Sequence, residues 1–560
     1  MFDPTNLMPL GWGLFTLSWL LPNHYNPWLS FHSEALAFAS LAIVLAGMLA
    51  TLGRSQLSMP WVALFTLCVA AIPWLQWFFG ISYFAGDALL ASGYLSGWAA
   101  AMVIGFHLAK SDGGNGVDAL MHMLWIAALC SAFLGLVQWL RLETHLGIFA
   151  AQMDDGDPAM GNLAQPNQLS TLLVMGMLAY CYVFERRIIG VPALALGISV
   201  MTFVLVLTHS RAGMLGFLVA AGFLLLKQLQ APARLNPRLV VAWILLFGAM
   251  YFASPFIDKA LLIDYAPEPL FTVNGRVNIW LQAWEGIKQA PWTGYGWDHT
   301  FSATSAGAIR YPGQLVATYA HNAFVDVVAW NGIPLGLALV GLGGYWFCTR
   351  LYRASSTRGT FAMACLMPFA VHGMAEFSFA YAYFLLASGL LIGVVEASMP
   401  AANAVVVRRN IMAAALLVWA VVGVGIVYEY LLIEEDVRVT RFENLKVGAT
   451  DPAYRAPTVH LLSQMATLQR ATRIQPTRGM TAQQLDDMHR AVSRFNTGGL
   501  ALRYATAQAL NGDQAGALYS LQVIHGVYGP AFFTAAKTAW KDRLQMYPEL
   551  AKIDIDGIQP

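Results

Sequence analysis

Apolar residues in this chain gather into runs of bilayer length, separated by short polar breaks. Runs near 9–22, 34–53, 59–80, 88–109, 118–140, 168–183, 189–207, 211–226, 238–257, 321–349, 360–378, 380–398 and 410–432 approach the roughly 20 residues that a membrane-crossing helix needs, the first being short. They predict an all-α, polytopic bundle of about 12–13 transmembrane helices. After residue 432 the pattern changes. Thr481 and Gln484 have capping-box spacing, and Leu485, Met488, Val492 and Phe495 follow at helical intervals. The stretch 501–528, turning at Asn511-Gly512-Asp513, predicts one helix-turn-helix unit of tetratricopeptide type. The expected organisation is a membrane domain over 1–432 and a water-soluble helical domain over 433–560, which either caps the membrane domain or binds a partner.

Composition supports that division. The 560 residues are 58% hydrophobic and only 11% charged, against about 25% charged in soluble proteins. Of the 63 charged side chains, 26 fall on the last 128 residues. The net charge of +1 gives no basic field for nucleic acid. Cys68, Cys130, Cys181, Cys348 and Cys365 all lie in apolar runs and read as small core residues, with no metal-binding spacing, so no metal is expected. The first run lacks a basic leader and a small-residue cleavage site, which argues against a removed signal peptide.

Basic residues set the expected orientation. Alternate loops carry Arg54, Lys110, Arg186 with Arg187, Lys227 with Arg234 and Arg238, Arg350 with Arg353 and Arg358, and Arg408 with Arg409. The short loops of the other set carry only Arg141 and Arg211. This places the N-terminus in the cytoplasm, and the loops 141–167 and 258–320 with the tail on the far side.

The long loop 258–320 is the first place to seek chemistry, because loops above about 15 residues in compact proteins are usually functional or disordered and this one is apolar. From Asn274 it reads as a turn and an amphipathic helix with Trp280, Ala283, Trp284 and Ile287 on one face. Such a helix could lie on the bilayer surface and hold Arg276 at its boundary. Arg211, in the sequence Thr208-His-Ser-Arg-Ala-Gly213, breaks the charge bias and is flanked by small residues. It either snorkels to water or binds an anion, and guanidinium suits diphosphate because its fork is bidentate and always charged. His321 is a helix-start residue with an imidazole able to take a proton near neutral pH. Asn162, Gln165, Asn167 and Gln168 could contact a sugar or order a loop. His372 and Glu376, four residues apart, are ionisable groups near a span end and candidates by default, or a pair of their own. Arg310 and Asn322 complete the candidate substrate contacts. Asp298 and His299 lie in the long loop without an interpretable spacing.

At these residues the chain resembles the O-antigen ligase/polymerase superfamily, and within it the bacterial protein O-oligosaccharyltransferases of pilin-glycosylating type. The matching pieces are GNLAQPNQLSTLL at 161–173, THSRAG at 208–213, NGR at 274–276, GYGW at 294–297, HNAFVDVVAWNGIPLG at 321–336 and HGMAEFSFAYAYFLL at 372–386. The resemblance implies transfer of a preassembled glycan from undecaprenyl diphosphate to hydroxyl groups of periplasmic proteins, at the outer face of the bacterial inner membrane, with no cofactor and no metal. By matching motif, His321 is the expected catalytic base, and Arg211 with Arg276 the expected diphosphate ligands. Where the family often shows His, this chain has Gln168, which therefore receives no acid–base role. Other readings are a ligase joining O-antigen to lipid A-core, an O-antigen polymerase and, more distantly, a lipid-linked sugar transporter. Against transport, no repeated pair of broken spans is visible.

Overall fold

The computed structural model describes residues 6–52, 56–111, 115–154, 156–228, 233–263, 274–313, 316–400 and 403–558. Each apolar run of the sequence is helical. Nine described helices are long and apolar enough to cross a membrane, and Leu7–Ser18, Val191–Leu207 and Ala382–Ala397 are shorter apolar helices. Thr357–Ala375, with 19 residues, completes the series. The chain is a polytopic, all-α membrane protein. The described residues add one element the sequence did not announce, a two-stranded antiparallel ribbon pairing Gln56–Pro60 with Ala404–Arg408.

Packing divides the chain into two units, each built from separated segments. The first comprises 1–69, 93–268 and 345–424. At its centre lies Pro166–Glu185, with 94% of its apolar window buried, against Asn115–Trp139, Val191–Leu207, Arg211–Gln228 and Thr357–Ala375. A helix apolar all round belongs inside such a bundle. By contrast, only 17% of the Pro237–Ala260 window is buried, leaving Leu245, Phe252 and Phe256 exposed for lipid contact. Cys181 and Cys365 are core residues as expected, whereas Cys68, Cys130 and Cys348 are exposed on helix surfaces. Those three correct the expectation: membrane spans are apolar on their outer faces too, so an apolar run does not tell lipid from core.

Where helices approach most closely, glycine makes room. A side chain on Gly393 would meet the Met102 carbonyl oxygen at 2.1 Å, and one on Gly105 the Leu390 carbonyl oxygen at 1.9 Å.

The second unit comprises 70–92, 269–344 and 425–560. The long loop of the sequence analysis contains two helices here, Asn274–Gln289 and Thr300–Ala308, while its 264–273 and 314–315 fall outside the described residues. The inward stripe of the first is Ile279, Ala283 and Ile287. Trp284 is exposed, so the anticipated apolar face is split. Thr300–Ala308 packs on Gln514–Leu544 through Phe301, Ala308 and Val527, and the Gly313 amide donates to the Gly526 carbonyl at 2.7 Å. The tail holds the expected capping box, with both Thr481–Gln484 bonds formed, and the hairpin Gly498–Leu510 and Gln514–Leu544 about the 511–513 turn.

The single span expected near 321–349 is broken. Helix Ala323–Arg353 is interrupted at Gly332, φ 74° and ψ 173°, just before Pro334, which cannot continue the helical ladder. Segment 291–297 fills the break: Tyr295 and Gly296 amides donate to the Ala329 and Trp330 carbonyls at 2.9 and 3.1 Å, and the Ile333 amide donates to the Pro291 carbonyl at 2.7 Å. A Cβ at Gly332 would lie 2.6 Å from the Trp292 backbone.

Replacing Gly393 with leucine should destabilise the first unit by about 1–3 kcal/mol or more through overpacking, seen as a lower Tm of the detergent-solubilised protein. An unchanged Tm would show that the two helices can separate at no cost.

Candidate active site

In the first unit three of the recognisable motifs meet through Asn167. This side chain sits in the first turn of Pro166–Glu185, which begins with proline at N1, where the missing N–H is not needed. Asn167 Nδ2 donates to Glu376 Oε1 at 3.2 Å, and its Oδ1 accepts from the Ser210 hydroxyl at 2.6 Å. Ser210 in turn caps the helix that Arg211 opens, accepting from the Gly213 amide at 3.0 Å. A side chain on Gly213 would meet the Ser170 hydroxyl at 2.3 Å, so this turn tolerates no larger residue. The turn is tight: His209 has φ 49°, a conformation that costs a non-glycine residue about 1–2 kcal/mol. Burial also pushes the His209 imidazole below its ordinary pKa, against the opposing pull of Asp258.

The remaining candidates of this unit are fixed in place. His372 Nδ1 lies 2.8 Å from the Thr171 hydroxyl. Gln168 accepts from the Tyr383 hydroxyl at 2.6 Å and donates to Gln165 at 2.8 Å. Asn162 is 2% exposed and ties together three strands of chain: its amide donates to the Leu20 and Phe149 carbonyls, and its oxygen accepts from the Ala151 amide. Asn162 thus orders a loop, and Asn167, Glu376 and His372 position one another's helices around Arg211.

In the second unit the helix that carries Arg276 is tied to the residue that precedes His321. Arg276 lies in the first turn of Asn274–Gln289, and Trp280 follows one turn later on the same face. The Trp280 indole donates to the Ala320 carbonyl at 2.8 Å, directly before His321. His321 itself has φ 54°. Residues held in such conformations persist where the surroundings over-determine them. Asn322 is the helix cap, its side chain accepting from Phe324 and Val325 amides at 3.0 and 3.3 Å. Arg310 is largely exposed and pairs with Glu285 at 3.3 Å. Arg211 and Arg276 share one feature. Each stands in the first turn of a helix, where unsatisfied N–H groups and the helix dipole favour an anion.

Behind His321 lies a buried polar network that motif reading missed. Arg494, with its side chain 12% exposed, pairs with Asp87 at 3.1 Å and Asp298 at 2.8 Å, and His299 reaches Asp87 at 3.1 Å. Burial works against the Arg494 charge, but Asp87 and Asp298 more than offset it and its pKa stands above the ordinary guanidinium value. Burial and the Asp298 carboxylate push the Tyr319 phenol well up. Asp326, fully buried, accepts from the Thr300 hydroxyl at 2.6 Å and the Ala320 amide at 2.8 Å. The available signal was Asp326, an acidic residue inside an apolar run, and Asp87, at the edge of another. Among the described residues no group of three or more His, Cys, Asp or Glu side chains is arranged to hold a metal ion.

The chain matches the family model described as O-antigen ligase over residues 194–340, that of protein glycosylation ligase over 159–184, and that of virulence factor membrane-bound polymerase, C-terminal, over 360–542. It is a glycosyltransferase, similar to the O-antigen ligase/polymerase superfamily. Within that superfamily its curated relatives are O-oligosaccharyltransferases. It is 29% identical to the general O-oligosaccharyltransferase of Acinetobacter baylyi over 502 residues, 86% of each chain, and 25% identical to that organism's ComP-specific O-oligosaccharyltransferase over 397 residues, 69% of this chain and 70% of the relative.

Arg494→Met should cost about 3–5 kcal/mol, the usual penalty for leaving buried carboxylates without their cation. Thermal unfolding of the purified protein reads this directly, and a Tm equal to that of the unaltered protein would remove the network from the stability of the second unit.

Proposed function

We propose that this protein transfers a preassembled glycan from undecaprenyl diphosphate to hydroxyl side chains of periplasmic proteins, a pilin among the expected acceptors. The observation that carries the proposal is the linkage of Ser210, through Asn167, to Glu376, which fixes the turn from which Arg211 opens a helix in a membrane bundle. A guanidinium so placed fits a lipid-borne diphosphate. The charge asymmetry of the loops supports a cytoplasmic N-terminus, an inner-membrane location and a periplasmic site. Residues 1–432 form the transferase domain in this reading, with 258–320 as its large periplasmic loop, and residues 433–560 a periplasmic helical domain.

The reaction is a single inverting displacement. The acceptor oxygen attacks the anomeric carbon as its proton passes to His321. The bond from that carbon to the diphosphate oxygen breaks, and its electron pair leaves with the diphosphate. Arg211 and Arg276 meet the accumulating negative charge, each such preorganised donor contributing about 3–4 kcal/mol to the barrier difference. With its charge met by guanidinium, the leaving group needs no proton.

His321→Ala should lower turnover roughly 100- to 10,000-fold, the range of a positioned base, with folding and donor binding retained. Arg211→Lys should lose most activity despite keeping its charge, because the bidentate fork is lost. Both are read by incubating purified protein with undecaprenyl-diphosphate glycan and an acceptor protein, then weighing the acceptor by mass spectrometry. Normal glycosylation by either variant would remove the role given to that residue. Mass gained by lipid A-core in place of protein would move the assignment to the ligases.

A further inference from the structure

In the first unit, away from Asn167 and Arg211, the ends of four apolar helices meet around a cavity of about 610 Å³. They are the last turns of Ala85–Lys110, Pro166–Glu185 and Ala382–Ala397 and the first turn of Thr357–Ala375. Helices that cross a bilayer leave the hydrocarbon at their ends, so the cavity lies at headgroup depth. Arg186, Arg187 and Arg358 line it, together with Ser356 and Thr357. The carboxylates close by are already engaged. Glu185, in the lining, accepts from the Arg234 and Leu235 amides at 3.0 and 2.9 Å. Asp118 pairs with Arg186 at 3.2 Å and accepts from the Tyr182 hydroxyl at 2.7 Å, and Glu396 pairs with Arg350 at 2.6 Å. Arg358 gives one N–H to the Ala109 carbonyl at 3.3 Å. Arg187 is exposed and has no ion pair among the described residues. Three guanidinium groups against Glu185 and Asp118 therefore leave positive charge in excess. The N-terminus of Thr357–Ala375 adds its dipole, which favours an anion. Its cap, Ser356, accepts from the Gly359 amide at 3.1 Å and keeps its own O–H to donate. Arg187 also has φ 63° in the turn that closes Pro166–Glu185, a position that glycine usually fills.

We propose that this cavity holds the phosphate of an anionic membrane phospholipid. The arginines take the phosphate oxygens by charge-assisted hydrogen bonds, for which the guanidinium fork is shaped. The Ser356 hydroxyl and the helix N-terminus complete the cradle, and the acyl chains stay in the bilayer. A volume of this order suits a headgroup, and basic pockets between membrane helices are a recurrent site for anionic lipids. A phosphate from solution offers the same oxygens, but headgroup depth favours the lipid as its source. The bound lipid would join four helix ends that no side chain joins at once, so an anionic bilayer would hold this edge of the bundle together. The inference is independent of the transfer reaction and of the roles given to Arg211, Arg276 and His321.

The test is native mass spectrometry of the purified full-length protein in detergent, titrated with phosphatidylglycerol or with phosphatidylcholine of the same acyl chains. Phosphatidylglycerol should bind at the lower concentration. Arg187→Gln keeps the turn and removes an exposed charge, and it should weaken phosphatidylglycerol roughly tenfold or more, the usual loss with one charge-assisted hydrogen bond. Arg238→Gln removes an exposed cation of the same unit that lies outside the cavity, and it should leave binding unchanged. Equal affinity for the two lipids would overturn the proposal. So would unaltered phosphatidylglycerol binding in Arg187→Gln, or an equal loss in Arg238→Gln. Glycerol phosphate, the headgroup chemistry without acyl chains, should displace the lipid only in large excess. Displacement at equal concentration would assign the cavity to a soluble phosphate and overturn the lipid source. Because lipid binding is the readout, none of these failures touches the proposed glycan transfer.

Discussion

A polar side chain inside an apolar bundle must find a partner or pay in desolvation, and here that demand decides which segments of chain are brought together. Asn167 is the clearest case. One amide satisfies Glu376 on one side and Ser210 on the other, so three stretches far apart in sequence are held by a group with no apolar alternative. The second unit obeys the same demand with charge: Arg494 lies between Asp87 and Asp298, drawn from three different segments. Apolar packing gives each unit its bulk, and these few polar contacts give it its register.

That division of labour explains what could be read from the sequence. Bilayer-length apolar runs mapped directly onto helices, because a span needs only length and hydropathy. The capping box at Thr481 was legible because both partners sit within three residues. The break at Gly332 was not: its cause is the Trp292 backbone, 2.6 Å from where a Cβ would be, and nothing near Gly332 in sequence announces that neighbour. The ribbon pairing Leu57 with Val407 is equally non-local. Its short alternation was hidden at the polar ends of two spans.

For the site, residue type was informative and partnership was not. Arg211, Arg276 and His321 stood out by charge bias, helix position and chemistry. Asp298 and His299 were visible but uninterpretable, since their partners Asp87 and Arg494 lie about 200 residues away on either side. The amides of 162–168 were open to two readings from sequence alone. The structure divides them, with Asn162 tying loops together and Asn167 joining motifs.

The interrupted helix at Gly332 has a bearing on engineering. Its carbonyls at Ala329 and Trp330 are bonded by amides of 295 and 296, so the two segments form one interlocked cassette. Chimeras that exchange loops between relatives to redirect acceptor choice should carry 291–297 and 326–334 across as a pair. A graft that moved one without the other would strand backbone groups, and the hybrid would fail in assembly before its specificity could be assayed.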